Sequence, residues 1–153
     1  PCKSVIESTI IGFDGDDPII YRLGSTSIED IEAIVGKIEI KNKKEVSPDA
    51  PGMLERHYAP KTKTVLTDNI LEALRLYKNK RVGLITFQSE IENSNIEVQI
   101  ALSKSGDLAE SASNLYDVLH QLDKMHLDII IAEKFPDYGL GKSINDRLER
   151  ATN

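Results

Sequence analysis

One cysteine, Cys2, and no tryptophan occur among the 153 residues of this chain. A single cysteine excludes an internal disulfide framework and a cysteine-rich zinc site, and it is typical of a reducing environment. No apolar run approaches the roughly 20 residues that a transmembrane helix needs, and no signal peptide is evident. The sequence therefore predicts a globular cytoplasmic protein without a membrane partner.

Positive charge is also scarce. Lysine and arginine number 19 against 25 aspartates and glutamates, which gives a net charge of −6. Broad binding to nucleic-acid phosphates needs a basic face, so strong direct nucleic-acid binding is not expected, although a local basic pocket stays compatible with this balance. The length suffices for one ordinary domain, or for a small domain with a piece of another.

Motifs for metal binding and nucleophilic catalysis are lacking as well. The three histidines are His57, His120 and His126, and the last two lie six residues apart around a predicted helix end, which is poor metal spacing. The sequence contains no H-x-x-x-H pair and no G-x-S-x-G element. No metal site is predicted, and no catalytic residue is identified.

The first forty residues favour a small sheet with one helix. β-branched and apolar residues predict strands, while Asp, Gly and Pro predict the turn that joins two of them as a hairpin. Ser27 is a candidate helix N-cap, since acidic residues follow it in the first turn. The predicted order is a buried strand over 5–13, a turn over 14–18, a strand over 19–23, a helix from Ser27 to about Gly36 and a short strand over 37–40.

After Lys61 the pattern changes to strands that alternate with helices. Such alternation predicts a Rossmann-like α/β domain, with a mostly parallel sheet flanked by helices. Asp68 is expected to cap the first of these helices, with Ile70, Leu71, Leu74 and Tyr77 on one face. The predicted elements are strands over 64–67, 81–87, 96–102 and 127–132, a helix after Asp68, a long helix over 107–123 and a final helix over 143–151.

The segment 50–60, A-P-G-M-L-E-R-H-Y-A-P, separates these two patterns. Pro51 and Pro60 exclude a helix interior or a strand, because each fixes φ and removes a backbone donor. The chemically rich middle, which contains His57 and Tyr58, indicates a segment that docks rather than a flexible tether. We therefore divide the chain into residues 1–42, a linker over 43–62 and a C-terminal domain over 63–153.

Two positions in the first part are candidate binding residues. Ser8 lies in a polar interruption of an apolar strand, so it either hydrogen-bonds the backbone or lines a pocket for a small polar substrate. Arg22 ends a strand next to Gly24, where a guanidinium can meet a phosphate, although an exposed arginine on an edge strand is the commoner reading.

The segment Gly139–Leu140–Gly141 precedes the last predicted helix. It has neither the third glycine of a dinucleotide fingerprint nor the spacing of a phosphate loop, so a tight turn that lets the helix pack on the sheet is expected. Arg147 and Arg150 are expected to pair with carboxylates on the outer face of that helix.

Taken together, these segments resemble the long, two-domain threonylcarbamoyl-AMP synthases, which join a YrdC-type catalytic domain to a smaller C-terminal domain. The resemblance covers nearly the whole chain, and the proline-bounded linker and the terminal G-L-G helix are its most specific marks. The segments that carry it are V-I-E-S-T-I-I (5–11), Y-R-L-G (21–24), S-I-E-D-I (27–31), A-P-G-M-L-E-R-H-Y-A-P (50–60) and G-L-G-K-S-I-N-D-R-L-E-R-A (139–151).

The resemblance implies a nucleotidyltransferase that condenses L-threonine, bicarbonate and ATP to threonylcarbamoyl-AMP and pyrophosphate. ATP, with Mg²⁺, would be a substrate rather than a bound cofactor, and other proteins would carry the threonylcarbamoyl group to tRNA. By the same resemblance Ser8 would contact threonine, Arg22 and Tyr58 would contact ATP, and the linker with His57 would close over the nucleotide.

Two departures from the family pattern qualify this expectation. Leu23 stands where the family usually has proline, so the turn after Arg22 is expected to be less constrained. The family's K-x-R and S-x-N elements have no match here, and the chain starts at Pro1, so we expect the C-terminal part of the enzyme, inactive alone. The alternative is that residues 61–153 form a stand-alone nucleotide-sensing module.

Overall fold

A computed structural model describes residues 6–41 and 59–152. His57 and Tyr58 lie outside the described residues, as does most of the predicted linker. Residues 6–41 form one sheet with a helix, the N-terminal unit, and residues 59–152 form a second sheet with three helices, the C-terminal unit. None of the helices in these described ranges is long and apolar enough to cross a bilayer.

The N-terminal unit is a three-stranded sheet with one helix. Strands β1 (Ile10–Asp14) and β2 (Asp17–Arg22) form the predicted antiparallel hairpin, and β3 (Glu39–Ile40) pairs parallel to β2. Helix α1 (Ile28–Val35) begins at the predicted cap, because the Ser27 side chain accepts a hydrogen bond from the amide of Asp30. These predictions are confirmed.

The predicted strand over 5–13 begins only at Ile10. The preceding polar residues bond to the turn after β2 instead of extending the ladder. Thr9 Oγ1 accepts hydrogen bonds from Gly24 N at 3.0 Å and Thr26 N at 3.2 Å. Ser8 is consequently exposed and outside any strand, which corrects the prediction that it lies within a buried one.

The C-terminal unit has the predicted Rossmann-like architecture. Its four strands are all parallel, in the order β4-β7-β5-β6, with the apolar β5 and β7 in the centre. The elements are β4 (Thr64–Thr67), α2 (Ile70–Leu76), β5 (Val82–Thr86), β6 (Ile96–Ala101), α3 (Leu108–Asp123), β7 (Ile129–Glu133) and α4 (Leu140–Ala151). The predicted α/β fold is thus confirmed, and the predicted strand at 127–132 is indeed central.

Helices cover both faces of this sheet. Ala73 and Leu74 of α2 pack on one face, whereas α3 and α4 pack on the other. Two details of α2 differ from expectation. Asn69, rather than Asp68, caps the helix by accepting from the amide of Glu72, and Leu71 is 59% exposed because α2 turns a neighbouring face to the sheet.

Helix α4 begins at Leu140, three residues before the predicted start at Ser143. A side chain at Gly141 would collide with the carbonyl of Pro136, so close packing requires glycine there, as the predicted tight turn implies. Arg147 and Arg150 are buried rather than on an outer face, because α4 lies between the sheet and the N-terminal unit.

Candidate functional site

The structure brings Ser8 and Arg22 together at the start of the hairpin. Arg22 Nη2 donates to Ser8 Oγ at 3.2 Å, and Arg22 Nε donates to the Ser8 carbonyl at 3.1 Å. The contact follows from the hairpin register, which pairs Ile10 with Arg22 and so places the residues just before β1 beside the end of β2. The two residues that are predicted to contact threonine and ATP are therefore in direct contact with each other.

Glu7 adds a charge beside these two residues, one to which the sequence analysis assigned no binding role. Its Oε2 lies 3.3 Å from Arg22 Nη1 and 3.0 Å from Arg147 Nη1 of α4. The side chains are 22% exposed for Glu7, 11% for Arg22 and 3% for Arg147. Since charges this buried are stable only when paired, the carboxylate and the two guanidinium groups hold one another in place.

Contacts with Glu7 and Ser8 engage some, but not all, of the N–H donors of Arg22. A guanidinium carries five N–H donors, and three of its nitrogen atoms here face Glu7 or Ser8. Two N–H bonds are therefore not engaged by these three contacts. An arginine held on one side in this way presents its other edge in a fixed orientation, the arrangement that recognises a phosphate or carboxylate.

The turn that follows Arg22 is held by hydrogen bonds. Ser25 N donates to the Glu7 carbonyl at 3.0 Å, and Gly24 N donates to Thr9 Oγ1. A side chain at Gly24 would collide with the backbone of Glu7 and Ser8, so glycine permits the close approach. Leu23 is buried in the small core beneath, so packing and hydrogen bonds constrain the turn where the family pattern has proline.

Tyr116 of α3 supports Arg147 from below. The Arg147 guanidinium carbon lies 5.1 Å from the centroid of the Tyr116 ring, within the range of a cation–π contact. Burial raises the pKa of Tyr116 above its ordinary value, and the nearby Arg147 partly opposes that rise. Tyr116 therefore stays neutral at physiological pH and serves as an aromatic platform for the arginine.

The described end of the linker lies on the same helix. Ala59 and Pro60 line a groove with Tyr116 and Asp123, and the chain is fixed directly after it. Asp123 accepts from Thr62 N at 2.8 Å, from Thr62 Oγ1 at 2.8 Å and from Lys61 N at 3.2 Å. Partial burial acts to raise the pKa of Asp123, but these hydrogen bonds prevail and hold it below its usual range. The end of the linker is thus anchored on α3 about two helical turns from Tyr116, the residue that contacts Arg147.

Three residues at four-residue intervals, the N-cap residue of α4 and two residues within the helix, face the N-terminal unit. Gly139 N donates to Glu29 Oε1 at 3.2 Å, Ser143 Oγ donates to the Gly24 carbonyl at 2.7 Å, and Arg147 pairs with Glu7. Sequence reasoning missed this stripe. The four-residue spacing of Gly139, Ser143 and Arg147 was the available signal, because residues so spaced lie on one face of a helix.

The carboxyl edge of the parallel sheet, where Rossmann-like domains bind nucleotides, offers a weaker arrangement. The groove beside β4 and β7 contains Lys134 together with the carboxylates of Asp68 and Glu149. Glu133 Oε2 accepts from Phe87 N at 2.8 Å and so bridges the ends of β7 and β5. Carboxylates in this groove do not favour a phosphate, and the described residues at this edge of the sheet give no support to the nucleotide-sensing alternative.

The two histidines among the described residues lie at the end of α3 and in the turn that follows it. His120 Nδ1 lies 2.8 Å from the Tyr116 carbonyl, and His126 occupies the turn after α3 with a φ of 54°. Within residues 6–41 and 59–152, no three His, Cys, Asp or Glu side chains are grouped so that they could hold a metal.

Comparison with known proteins finds similarity to one family along nearly the whole chain. Residues 26–153 match the family described as threonylcarbamoyl-AMP synthase, C-terminal domain. The threonylcarbamoyl-AMP synthase of Bacillus subtilis (strain 168) is 31% identical over 155 residues, which cover 95% of this chain. The synthase of Pyrococcus abyssi is 29% identical over 96% of this chain. The chain spans only 45% and 46% of the lengths of these two relatives.

Solved structures give the same result. The crystal structure of P. abyssi Sua5 complexed with L-threonine has a TM-score of 0.81 and 28% identity, covering 96% of this chain and 46% of that chain. A variant of P. abyssi Sua5 with a His and the adjacent Tyr replaced by alanine has a TM-score of 0.78 and 27% identity, covering 95% of this chain and 44% of that chain. The likeness therefore extends through both the N-terminal and the C-terminal unit.

Proposed function

Since the chain belongs to the family of threonylcarbamoyl-AMP synthase C-terminal domains, we propose that it acts as the C-terminal portion of an L-threonylcarbamoyladenylate synthase. The reaction joins L-threonine, bicarbonate and ATP to give threonylcarbamoyl-AMP and pyrophosphate. The observation that carries the proposal is the likeness to synthases over 95% of the chain, which includes the Ser8–Arg22 site as well as the matched domain.

In this proposal Ser8 contacts threonine and Arg22 contacts an ATP phosphate. The hydrogen bonds between the two residues support it, because they would bring the amino acid and the nucleotide next to each other. The N–H bonds of Arg22 that do not face Glu7 or Ser8 suit phosphate oxygens. P. abyssi Sua5 has been crystallised with L-threonine, which supports threonine as the amino-acid substrate of this family member too.

We propose that the linker closes over the nucleotide, with Tyr58 reaching ATP and His57 beside it. His57–Tyr58 is the one adjacent His-Tyr pair in this sequence, and a His-Tyr pair is replaced in the P. abyssi variant. A mixed anhydride such as the adenylate reacts with water, so a segment that covers the site protects the product. The anchor at Asp123 fixes the end from which such a segment extends.

The remaining roles are those of a cytoplasmic enzyme of tRNA modification. ATP is expected to carry Mg²⁺, and other proteins take the adenylate and transfer its threonylcarbamoyl group to adenosine in tRNA. The acidic net charge of −6 supports an enzyme that makes this small molecule without itself binding tRNA strongly.

The experiment is pyrophosphate release with threonine, bicarbonate and ATP, measured on this 153-residue chain and on the full-length protein that contains it. We expect turnover from the full-length protein and none from the 153-residue chain. In the full-length protein, Ser8→Ala or Arg22→Met should lower kcat/KM at least about tenfold. Lys142→Met, at a partly exposed position of α4, is the matched control. Turnover by the 153-residue chain comparable to the full-length rate would contradict the proposed division of the enzyme.

A further inference from the structure

We propose that Arg147 is a positioning residue, which holds Arg22 and Ser8 in their substrate-binding geometry through the shared carboxylate of Glu7. The proposal extends the proposed function, and its substrate-related part rests on it. It assigns to the last helix of the C-terminal unit a direct part in shaping the site of the N-terminal unit.

The burial of Arg147 is the first argument. Its side chain is 3% exposed on α4, a helix whose Ile144 and Leu148 belong to the apolar core with the sheet. A well-packed apolar side chain stabilises such a position as well as a buried ion pair does, or better. A charge retained there serves specificity of arrangement, and the group that it arranges is Glu7, at 3.0 Å.

The second argument is how the contacts follow one another. Glu7 Oε2 faces both Arg147 Nη1 and Arg22 Nη1, so the two arginines share one oxygen atom. Arg22 in turn holds the carbonyl and the hydroxyl of Ser8. Without Arg147 the Glu7 carboxylate loses one of the two arginines that its Oε2 faces, and the Arg22 guanidinium is then paired with a less firmly held carboxylate.

The third argument is the orientation of Arg147 itself. The Arg147 guanidinium carbon lies over the Tyr116 ring, 5.1 Å from its centroid, so the arginine is held by the ring as well as by Glu7. Ser143 and Gly139 hold the same face of α4 against Gly24 and Glu29, which fixes the spacing between the helix and the site. Arg147 therefore acts from a rigid base.

The direct test is nuclear magnetic resonance of the Arg22 Nε–H group in the 153-residue chain. Because this group donates to the Ser8 carbonyl, its exchange with water reports whether Arg22 is in place. We expect Arg147→Met to accelerate that exchange at least about tenfold, because the variant lacks the buried ion pair that holds Glu7 beside Arg22. Glu7→Gln, which preserves shape, should do the same from the other side of the contact.

Arg150→Met is the matched control. Arg150 is an equally buried arginine of the same helix, and its Nε pairs with Asp146 of α4 at 3.0 Å. Backbone amide signals of β5 and β7 report whether each variant remains folded. If Arg147→Met and Glu7→Gln leave the Arg22 Nε–H exchange unchanged in a folded protein, or if Arg150→Met accelerates it equally, the positioning role is wrong.

Kinetics of the full-length protein test the link to substrate. We expect Arg147→Met to raise the KM for ATP about tenfold while kcat changes less than about twofold, since lost positioning of a binding group weakens binding. Arg22→Met calibrates the assay. If Arg22→Met raises this KM and Arg147→Met does not, the positioning proposal is overturned. If Arg22→Met has no effect, the phosphate contact in the proposed function fails, and the exchange measurement alone decides the role of Arg147.

Discussion

Helices cover both faces of strands β5 and β7 in the C-terminal unit, whereas the sheet of the N-terminal unit carries a single helix. Leu84 and Ile130 are completely buried in the first case. In the second, Phe13 is 66% exposed and Ile34 86% exposed, and five residues make up the core. The comparison teaches that a unit can hold a well-ordered site without a large core of its own, provided that a neighbour supplies the packing.

The N-terminal unit obtains that packing through one short stretch. Ile6 is 3% exposed and belongs to the core of the C-terminal unit, directly before Glu7 and Ser8. The residues of the candidate site thus lie between an apolar anchor in one unit and a hairpin of the other. Cooperativity between the units should depend on this anchor and on the α4 stripe.

The largest expected effect is on the C-terminal unit itself. Ile131→Ala removes a fully buried side chain from β7 and should lower the free energy of unfolding by about 3–4 kcal/mol, because the rigid surroundings leave a cavity. Chemical denaturation followed by circular dichroism measures it. The exposed Ile34→Ala should change the value by less than about 0.5 kcal/mol, and an equal loss in both would contradict the contrast between the units.

Loss of the anchor should separate the two units. Ile6→Ala should lower the free energy of unfolding by about 2–3 kcal/mol, because it removes apolar volume from the edge of the core of the C-terminal unit. Amide hydrogen exchange of β1 and β2 should accelerate, while that of β5 and β7 stays close to wild type. Equal acceleration in all four strands would mean that the units unfold only together.

The smallest expected effect concerns the anchor of the linker. Asp123→Asn should lower the free energy of unfolding by about 1 kcal/mol at neutral pH, because Thr62 and Lys61 lose a charged acceptor. Asp117→Asn, at an exposed position of the same helix, controls for the lost charge. It should change the free energy of unfolding by less than about 0.5 kcal/mol.

The pH dependence of this contribution has a defined sign. The pKa of Asp123 is lower in the folded protein than its ordinary value. The carboxylate therefore stabilises the fold fully above the unfolded pKa of about 3.9, and that stability is lost as the pH falls through the folded value. The difference between wild type and Asp123→Asn should be constant from about pH 7 to pH 5 and shrink below about pH 4. A difference that grew on acidification would refute the depressed pKa.

Much of the fold could be predicted because the C-terminal unit follows general rules. Apolar runs bounded by turns predicted the positions of its strands along the chain, and leucines spaced three and four residues apart, such as Leu115 and Leu119, predicted its longest helix, which Asp107 is found to cap. The predictions for β4, β5, β6 and β7 are confirmed to within about two residues. The likeness to the synthases also agrees with the resemblance seen in the linker and in the last helix.

The site was predicted less completely. Ser8 and Arg22 were named as candidate binding residues, and Arg147 was expected to pair with a carboxylate on the outer face of its helix. The pairing is confirmed, but the partner is Glu7, at the opposite end of the chain, and the contact is buried. Sequence patterns describe one element at a time, so a charged residue on α4 was assigned to solvent. The roles of Ser8, Arg22, His57 and Tyr58 and the domain boundaries at 42 and 62 stay predictions.

The contacts of α4 also set the order in which the protein can be built. Ser143 and its acceptor Gly24 are 119 residues apart in the chain, and the last helix is the element that meets the hairpin. During synthesis the hairpin leaves the ribosome long before that helix exists, so contacts of such large sequence separation form last. A chain interrupted before α4 would lack Arg147 and therefore its ion pair with Glu7 beside Arg22. The candidate site can therefore take its final geometry only after the whole chain has been synthesised.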